Sequence, residues 1–278
     1  MILDIDGDLV CYRCAASVGE QGTEEIAILR TDKLMRDLLY NTGSDEYRCF
    51  LTGKGNFRYK VNENYKANRK DTPKPQWLQS CREYLISEFS AYVTNGCEAD
   101  DYLGISQEEG TTCASLDKDL LMIPGWHFRW LDNEKIYVVP LDGLKHFYKQ
   151  MLIGDKTDNI FGVVGLGKVK AAKIIDPLET EEEMIQTVFD LYDEDAERFY
   201  MNANCLWIMQ EKGVIWHHHA ESLILPPQLR QELDKKSDFM TSLMEGISME
   251  HGTTQKMMSG IPVNGEVMVV SPQIQEMT

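Results

Sequence analysis

The sequence predicts an α/β protein built on a mostly parallel sheet. Short apolar runs of strand length, Ile2 to Asp6, Tyr47 to Leu51, Ala91 to Thr94 and Thr112 to Ser115, alternate with stretches of helical spacing. Such alternation needs crossover connections, which place helices on both faces of a parallel sheet. Acidic residues stand at or just past the carboxyl ends of several runs, where open α/β sheets gather their ligands. Asp6, Glu98 and Asp117 are the clearest cases, far apart in sequence but directed to one region.

Taken in order, Ile2–Asp6 reads as a buried strand ending at Gly7, with a helix from about Leu9 to Ser17. Ile26 to Leu29 reads as a short extended piece. Asp32 to Tyr40 has helical spacing, with Leu34, Leu38 and Leu39 on one face. After the second strand a basic stretch runs into Pro73 and Pro75, where the helix of Trp77 to Phe89 begins. Helix is predicted over 99–107. Phe128 to Leu131 and Lys135 to Val139 suggest an edge pair joined at Asp132-Asn133. Past Pro140 the pattern turns helical, over 143–152, 168–174, 181–192 and 196–211. From Lys235 the periodicity fades, which predicts a loosely attached tail. His217-His218-His219 reads as surface, because adjacent histidines do not share a helix face.

The chain has 278 residues and no apolar run of membrane-spanning length. Its first strand begins at once, with no signal-peptide pattern ahead of it, so a cytoplasmic location is expected. Seven scattered cysteines do not suggest a disulfide framework. Cys11-Tyr12-Arg13-Cys14 has no second pair to complete a zinc site. The formal charge of −17 argues against nucleic acid at face value, but Lys54 to Lys74 holds seven Lys/Arg against two acids, while 179–197 is mostly acidic. A basic face with a separate acidic back suits a protein that meets a polyanion in one place.

Two stretches carry the chemistry. In the first, Glu98-Ala99-Asp100-Asp101 opens a helix and Ser115-Leu116-Asp117-Lys118-Asp119 follows a strand. Like charges this dense repel unless cations neutralise them, and carboxylate oxygens suit Mg²⁺ or Mn²⁺. The bland alternative is a solvated helix start, where acids are favoured anyway. The second runs from Leu152 to Lys168. Asp155 and Asp158 share a helical-turn face, the glycines permit close backbone approach, and Lys168, Lys170 and Lys173 bring positive charge to a helix start. Gly162 to Lys168 approaches a P-loop, but Val169 stands where a hydroxyl residue is required.

With these residues in place the chain resembles the 5′-nuclease family: flap endonucleases, the 5′-nuclease domain of bacterial DNA polymerase I, and bacteriophage 5′→3′ exonucleases, the T7-type most closely. The matching pieces are Ile5-Asp6-Gly7, Asn64-Tyr65-Lys66-Ala67-Asn68-Arg69-Lys70, Glu98 to Asp101, Ser115 to Asp119, and Gly154 to Ile160 with its glycine hairpin, in that order over about residues 2–215. The resemblance implies a PIN-like α/β 5′-nuclease core with a mostly parallel central sheet, a helical arch and a helix–turns–helix DNA-binding hairpin. The core would occupy 1–140, with the arch at about 54–90, the helical DNA-binding region 141–225 and the tail 226–278. It further implies two Mg²⁺ (or Mn²⁺) held by Asp6, Glu98, Asp100, Asp117, Asp119 and Asp155, with Asp101 and Asp158 as accessory acids. Two metals ~3.5–4 Å apart activate water and stabilise the leaving oxygen. Lys66 and Arg69 would contact the scissile phosphate, and Tyr65 would either stack on a terminal base or pack the arch. Gly162, Gly165 and Gly167, with a monovalent cation such as K⁺, would set the backbone against duplex DNA.

One departure is plain. Where the family has an aspartate after the second strand, this chain has Leu51 or Gly53, and Asp8 is the candidate substitute. The implied activity is hydrolysis of DNA from or near a free 5′ end or 5′ flap, by a monomer with no membrane partner. An RNA-directed nuclease acting on RNA–DNA hybrids, and a nucleic-acid-binding protein with a weakened site, are the rival expectations.

Overall fold

The computed structural model describes residues 1–19, 21–250 and 255–256. Its centre is a mixed sheet. β1 (Ile2–Asp6), β2 (Glu46–Thr52), β3 (Tyr92–Asn95), β4 (Thr111–Ala114) and β5 (Gly125–Arg129) run parallel in the order β5-β4-β1-β2-β3. Antiparallel strands flank them: β6 (Glu134–Val138) beside β5, and β9 (Ser248–Glu250) beside β3. Register brings Ile5 opposite Cys49 on one side and Ala114 on the other. This is the mostly parallel α/β sheet that the alternation predicted.

Strand alternation divides β1 between two environments. Leu3 and Ile5 enter an apolar cluster with Leu51 of β2 and with Val10, Met35, Leu38 and Leu85, drawn from α1 (Gly7–Val18), α2 (Glu24–Thr42) and α4 (Leu78–Phe89). Asp4 and Asp6 fall on the alternate face. Asp4 is matched by Arg48, which bonds it at 2.6 and 2.8 Å. Burial still pushes the Asp4 carboxyl up to about 7, against the lowering by Arg48. On that side a larger cluster joins α5 (Ala99–Ser106) to α6 (Pro140–Ile153), α7 (Lys168–Ile175), α8 (Glu181–Leu191), α9 (Ala196–Leu206), α10 (Trp216–Ala220) and α11 (Pro227–Met244). Between α6 and α7 lie the two-residue strands β7 (Gly154–Asp155) and β8 (Ile160–Phe161), paired antiparallel.

Several expectations are corrected. The piece at Ile26 to Leu29 belongs to α2: Ala27, Thr31, Met35 and Leu38 form its buried stripe, while Ile26 and Leu29 face solvent. Of the span 54–90, expected to be a helical arch, the last third is helix α4. Residues 53–77 hold only the four-residue helix α3 (Arg58–Val61) and a 3-10 turn at Ala67–Arg69. The 64–69 stretch lies against the 156–159 loop instead, through Asn68 Nδ2 to Lys156 O (2.7 Å) and Asn159 Nδ2 to Asn64 O (2.8 Å). Part of the span expected to be tail is helix: α11 buries Leu229, Leu233, Met240 and Leu243 at spacings of one helix face. The tail residues 251–254 and 257–278 lie outside the described residues. His217 is buried, not surface, with Nδ1 2.7 Å from the Tyr200 hydroxyl. Among the described residues no helix is long and apolar enough to cross a membrane.

Candidate active site

The carboxyl ends of the parallel strands open onto a cleft of about 890 Å³. Four parts of the chain bring acids to it. β1 ends in Asp6, which caps α1 by accepting from Leu9 N at 2.9 Å, and Asp8 follows in the first turn. Glu98 and Asp100 open α5. Asp117 and Asp119 follow β4, and Asp155 and Asp158 follow α6. All eight line the cleft. Placing acids at helix starts satisfies N–H groups and suits the helix dipole, so the same local choices that build the fold also concentrate charge.

Short polar contacts fix several of these side chains. Ser115 Oγ donates to Asp6 Oδ2 at 2.7 Å and accepts from Asp117 N at 3.0 Å. Asp117 Oδ1 accepts from Asp119 N at 2.9 Å, and Asp155 Oδ1 from Thr157 N at 2.7 Å. Asp8 accepts from Thr52 N at 2.9 Å and pairs with Arg82. The Asp100 carboxylate accepts no hydrogen bond and makes no ion pair among the described residues.

The electrostatics record the crowding. Burial, with Asp8 and Asp117 adding repulsion, pushes the Asp6 carboxyl up to about 7 despite its hydrogen bonds. Asp119 is raised to about 7 by burial and by Asp117, Asp155 and Asp158. Asp100 is raised well above the carboxylate range by burial and by Asp6, Asp117 and Glu98. Burial also raises Asp158, against Lys66. Glu98 goes the other way: against the cost of burial, Lys66 and Arg58 hold its carboxyl below the usual range. All-oxygen donors carrying unrelieved negative charge fit hard divalent cations in chemistry. As the side chains stand, no three His, Cys, Asp or Glu among the described residues are drawn close enough to hold a metal ion.

Asp101, expected among the accessory acids, is not in the cleft. It is buried and turned to Arg58, whose Nη1 and Nη2 bond its two oxygens at 2.6 and 2.8 Å, and it caps Glu98 N at 3.0 Å. Lys66 and Arg69 do line the cleft. Tyr65 is only 1% exposed, so its ring offers no face to a terminal base; its hydroxyl lies between Glu98 and Asp158, at 2.9 and 2.8 Å. Of the hairpin set only Lys168 reaches the cleft. Gly162 is a packing glycine, since a Cβ there would meet Leu152 O at 2.4 Å. Gly165 has φ +80° with open space around it, Gly167 caps α7, and Lys170 and Lys173 are exposed.

The cleft also contains residues that sequence reasoning passed over: His146, Lys149 and Gln150 on α6, and Lys118 between two acids. The spacing 146, 149, 150, 153 is one helical face, a signal available in the sequence but indistinguishable there from a solvated stripe. Burial and the nearby Lys149 press the His146 imidazole down to about 4.

The missing family aspartate has a steric reading. Leu51 is fully buried, and a Cβ on Gly53 would stand 2.2 Å from Thr94 O, while Gly53 N donates to that same oxygen at 2.7 Å. Asp8 fills the neighbouring part of the cleft instead. Gly53→Asp is therefore expected to destabilise the protein by about 1–3 kcal/mol, as overpacking does. Denaturant titration checks this; a variant as stable as the wild type would contradict it.

No family model matches the chain. It is 26% identical over 221 residues to DNA polymerase I of Bacillus caldotenax, covering 68% of this chain and 25% of that protein. It is 30% identical over 131 residues to the exodeoxyribonuclease of Enterobacteria phage T3, covering 44% of this chain and 43% of that one. The chain thus spans a quarter of the polymerase and under half of the exodeoxyribonuclease. Among solved structures, bacteriophage T5 5′-exonuclease with bound zinc ions superposes with TM-score 0.58 at 16% identity, over 86% of this chain and 99% of that one. A bacteriophage T5 D15 flap endonuclease variant, in a pseudo-enzyme–product complex with DNA and metal ions, gives 0.57 at 16% identity, over 88% and 99%. The α/β fold, with its mixed sheet and packed helices, is that of these 5′-nucleases, and the sequence likeness to the family is weak. It reaches polymerase and phage proteins alike and does not single out the T7-type exonucleases.

Proposed function

We propose that the chain is a divalent-metal-dependent 5′ nuclease that hydrolyses phosphodiester bonds of DNA at or near a free 5′ end or 5′ flap, in bacteriophage DNA replication or recombination. The observation that carries this reading is the convergence of eight acids on one cleft, opposite Lys66, Arg69 and Lys168. Asp6, Asp8, Glu98, Asp100, Asp117, Asp119, Asp155 and Asp158 would hold two Mg²⁺ or Mn²⁺. Cations so bound supply a lowered water pKa and offset charge during an in-line displacement. The remaining work falls to the chain. Lys66 and Arg69 hold the scissile phosphate and oppose its growing negative charge. Tyr65 positions Glu98 and Asp158 rather than stacking on a base. The turn at Gly165 and Gly167, with K⁺ as the candidate monovalent ion, brings Lys168, Lys170 and Lys173 against duplex phosphates. The DNA and metal ions named for the T5 relatives are in keeping with this assignment.

The test is a panel of 5′-labelled substrates, a duplex, a 5′ flap and an RNA–DNA hybrid, each with Mg²⁺, with Mn²⁺ and with EDTA. Metal-dependent release from the DNA substrates is expected. Cleavage of the hybrid alone would make the chain an RNA-directed nuclease, and binding without cleavage would leave only a nucleic-acid-binding protein.

The hairpin role makes its own prediction. The double variant Lys168→Ala, Lys170→Ala should weaken binding at any sequence and flatten the log–log dependence of affinity on salt by roughly one unit per lost phosphate contact. An unchanged slope would show that these lysines only solvate α7.

A further inference from the structure

We propose that Lys66 is a built-in counter-ion: its ammonium holds Glu98 and Asp158 in the metal-free chain and is drawn off by a DNA phosphate, so that DNA and divalent cations are taken up cooperatively. The inference rests on the nuclease reading above and adds an order of events to it.

The ammonium of Lys66 contacts Glu98 Oε1 and lies 3.6 Å from Asp158 Oδ2. Its side chain is 17% exposed, so this lysine is folded into the acids and not extended toward solvent. The backbone enforces the placement. Lys66 has φ +54°, a left-handed conformation uncommon for a non-glycine residue, and its N–H donates to Asp158 O at 2.9 Å. Arg69 ties the same loop down through Thr157 O at 2.9 Å and Asp158 Oδ1 at 2.6 Å. The Tyr65 hydroxyl sits between the same two carboxylates but has one proton, which serves one of them at a time. Arg69 meets part of the charge on Asp158 and Arg58, 3.9 Å from Glu98 Oε2, part of that on Glu98; Lys66 is the one cation that contacts both carboxylates.

One ammonium does not serve both Glu98 and a scissile phosphate. A phosphate that takes Lys66 leaves Glu98 and Asp158 short of positive charge, and a divalent cation restores it. By linkage, a cation that takes these acids frees Lys66 for phosphate by the same factor. Asp100 has neither hydrogen bond nor ion pair among the described residues, and the charge of Lys66 acts on it without direct contact.

Calorimetric titration of the full chain with Ca²⁺, with and without a 5′-flap duplex checked by gel for intactness, tests this. In the wild type the DNA should raise Ca²⁺ affinity about tenfold, toward the low end of typical couplings. Lys66→Met and Lys66→Gln should bind Ca²⁺ about tenfold more tightly without DNA, and the added effect of DNA should fall below about twofold. Lys66→Arg should behave as wild type. Lys118→Met removes a cleft-lining charge that has no ion pair among the described residues, and should change affinity less than about twofold. Thermal melts establish that each variant is folded, and the two neutral substitutions guard against loss of either. Wild-type Ca²⁺ affinity in both neutral variants, or an equal gain in Lys118→Met, would overturn the proposal. Lack of Mg²⁺-dependent cleavage by the wild type would instead overturn the nuclease reading, and this binding experiment would stand apart from it.

Discussion

Asp100→Asn is expected to lower cleavage by about a thousandfold or more, as losing a group central to charge stabilisation does, while making the metal-free protein more stable. The two effects have one cause. Asp100 lies among Asp6, Asp117 and Glu98; burial and these charges force its carboxyl well above the usual range, and the charge of Lys66 offsets only part of that. The amide keeps the shape and removes the repulsion, a gain of about 1 kcal/mol or ~2–4 °C in Tm for a chain of this size. Single-turnover cleavage and thermal melts in EDTA measure the pair. Lost activity with a lowered Tm would mean that Asp100 supports the fold instead of straining it. The same crowding sets a pH dependence. Asp6 and Asp119, raised to about 7 when folded, bind protons more readily in the native than in the unfolded chain. Stability from these groups is therefore full below about pH 4 and is lost as pH rises toward 7. Added Mg²⁺ should flatten that decline.

Arg58→Met should produce the largest loss of stability, about 3–5 kcal/mol, the cost of leaving a buried charge without its partner. Arg58 is 2% exposed and every arm of its guanidinium is used. Two nitrogens hold Asp101, Nε donates to Cys205 O at 2.8 Å, and Nη2 also donates to Trp207 O at 2.7 Å. Asp101 in turn accepts from Met209 N at 3.2 Å and from Glu98 N. The pair thus clamps the first turn of α5, which carries Glu98 and Asp100, to the end of α9. Arg58→Met with Asp101→Leu removes both charges and should regain part of the loss, but not the backbone bonds. Denaturant titrations of the two variants decide this. A single variant within 1 kcal/mol of wild type would show that the clamp contributes little.

The sheet and most of the acids were legible because both follow local rules. Strands of apolar run length alternate with helices, and a parallel sheet gathers its carboxyl ends, so Asp6, Glu98 and Asp117 converge whatever their separation in sequence. Asp101 was not legible. It adjoins Asp100, but one residue turns a helix by about 100°, so the neighbour of a cleft residue faces the interior, where Arg58 from a distant segment meets it. For Tyr65 the sequence leaves stacking on a base and packing of the arch equally open; tertiary packing buries the ring and sets its hydroxyl against Glu98 and Asp158. The α6 face of His146, Lys149 and Gln150 looks solvated in sequence because nothing local says that a cleft lies opposite. Helix α11 was missed where charged and Ser/Thr residues dilute its stripe, although Leu229, Leu233, Met240 and Leu243 keep the spacing. Gly53 needed the most distant information, the approach of Thr94 O from the neighbouring strand.

If the eight acids form one metal-dependent site for breaking phosphodiester bonds, cleavage must need both the metal and Asp100. The most direct measurement follows a 5′-labelled flap duplex with wild type and Asp100→Asn, in Mg²⁺, after EDTA, and after Mg²⁺ is restored. Cleavage by the wild type that EDTA stops and restored Mg²⁺ returns is expected, with none at that level from Asp100→Asn, although both proteins bind the DNA. Equal cleavage by the two proteins, or cleavage that persists in EDTA, would contradict it.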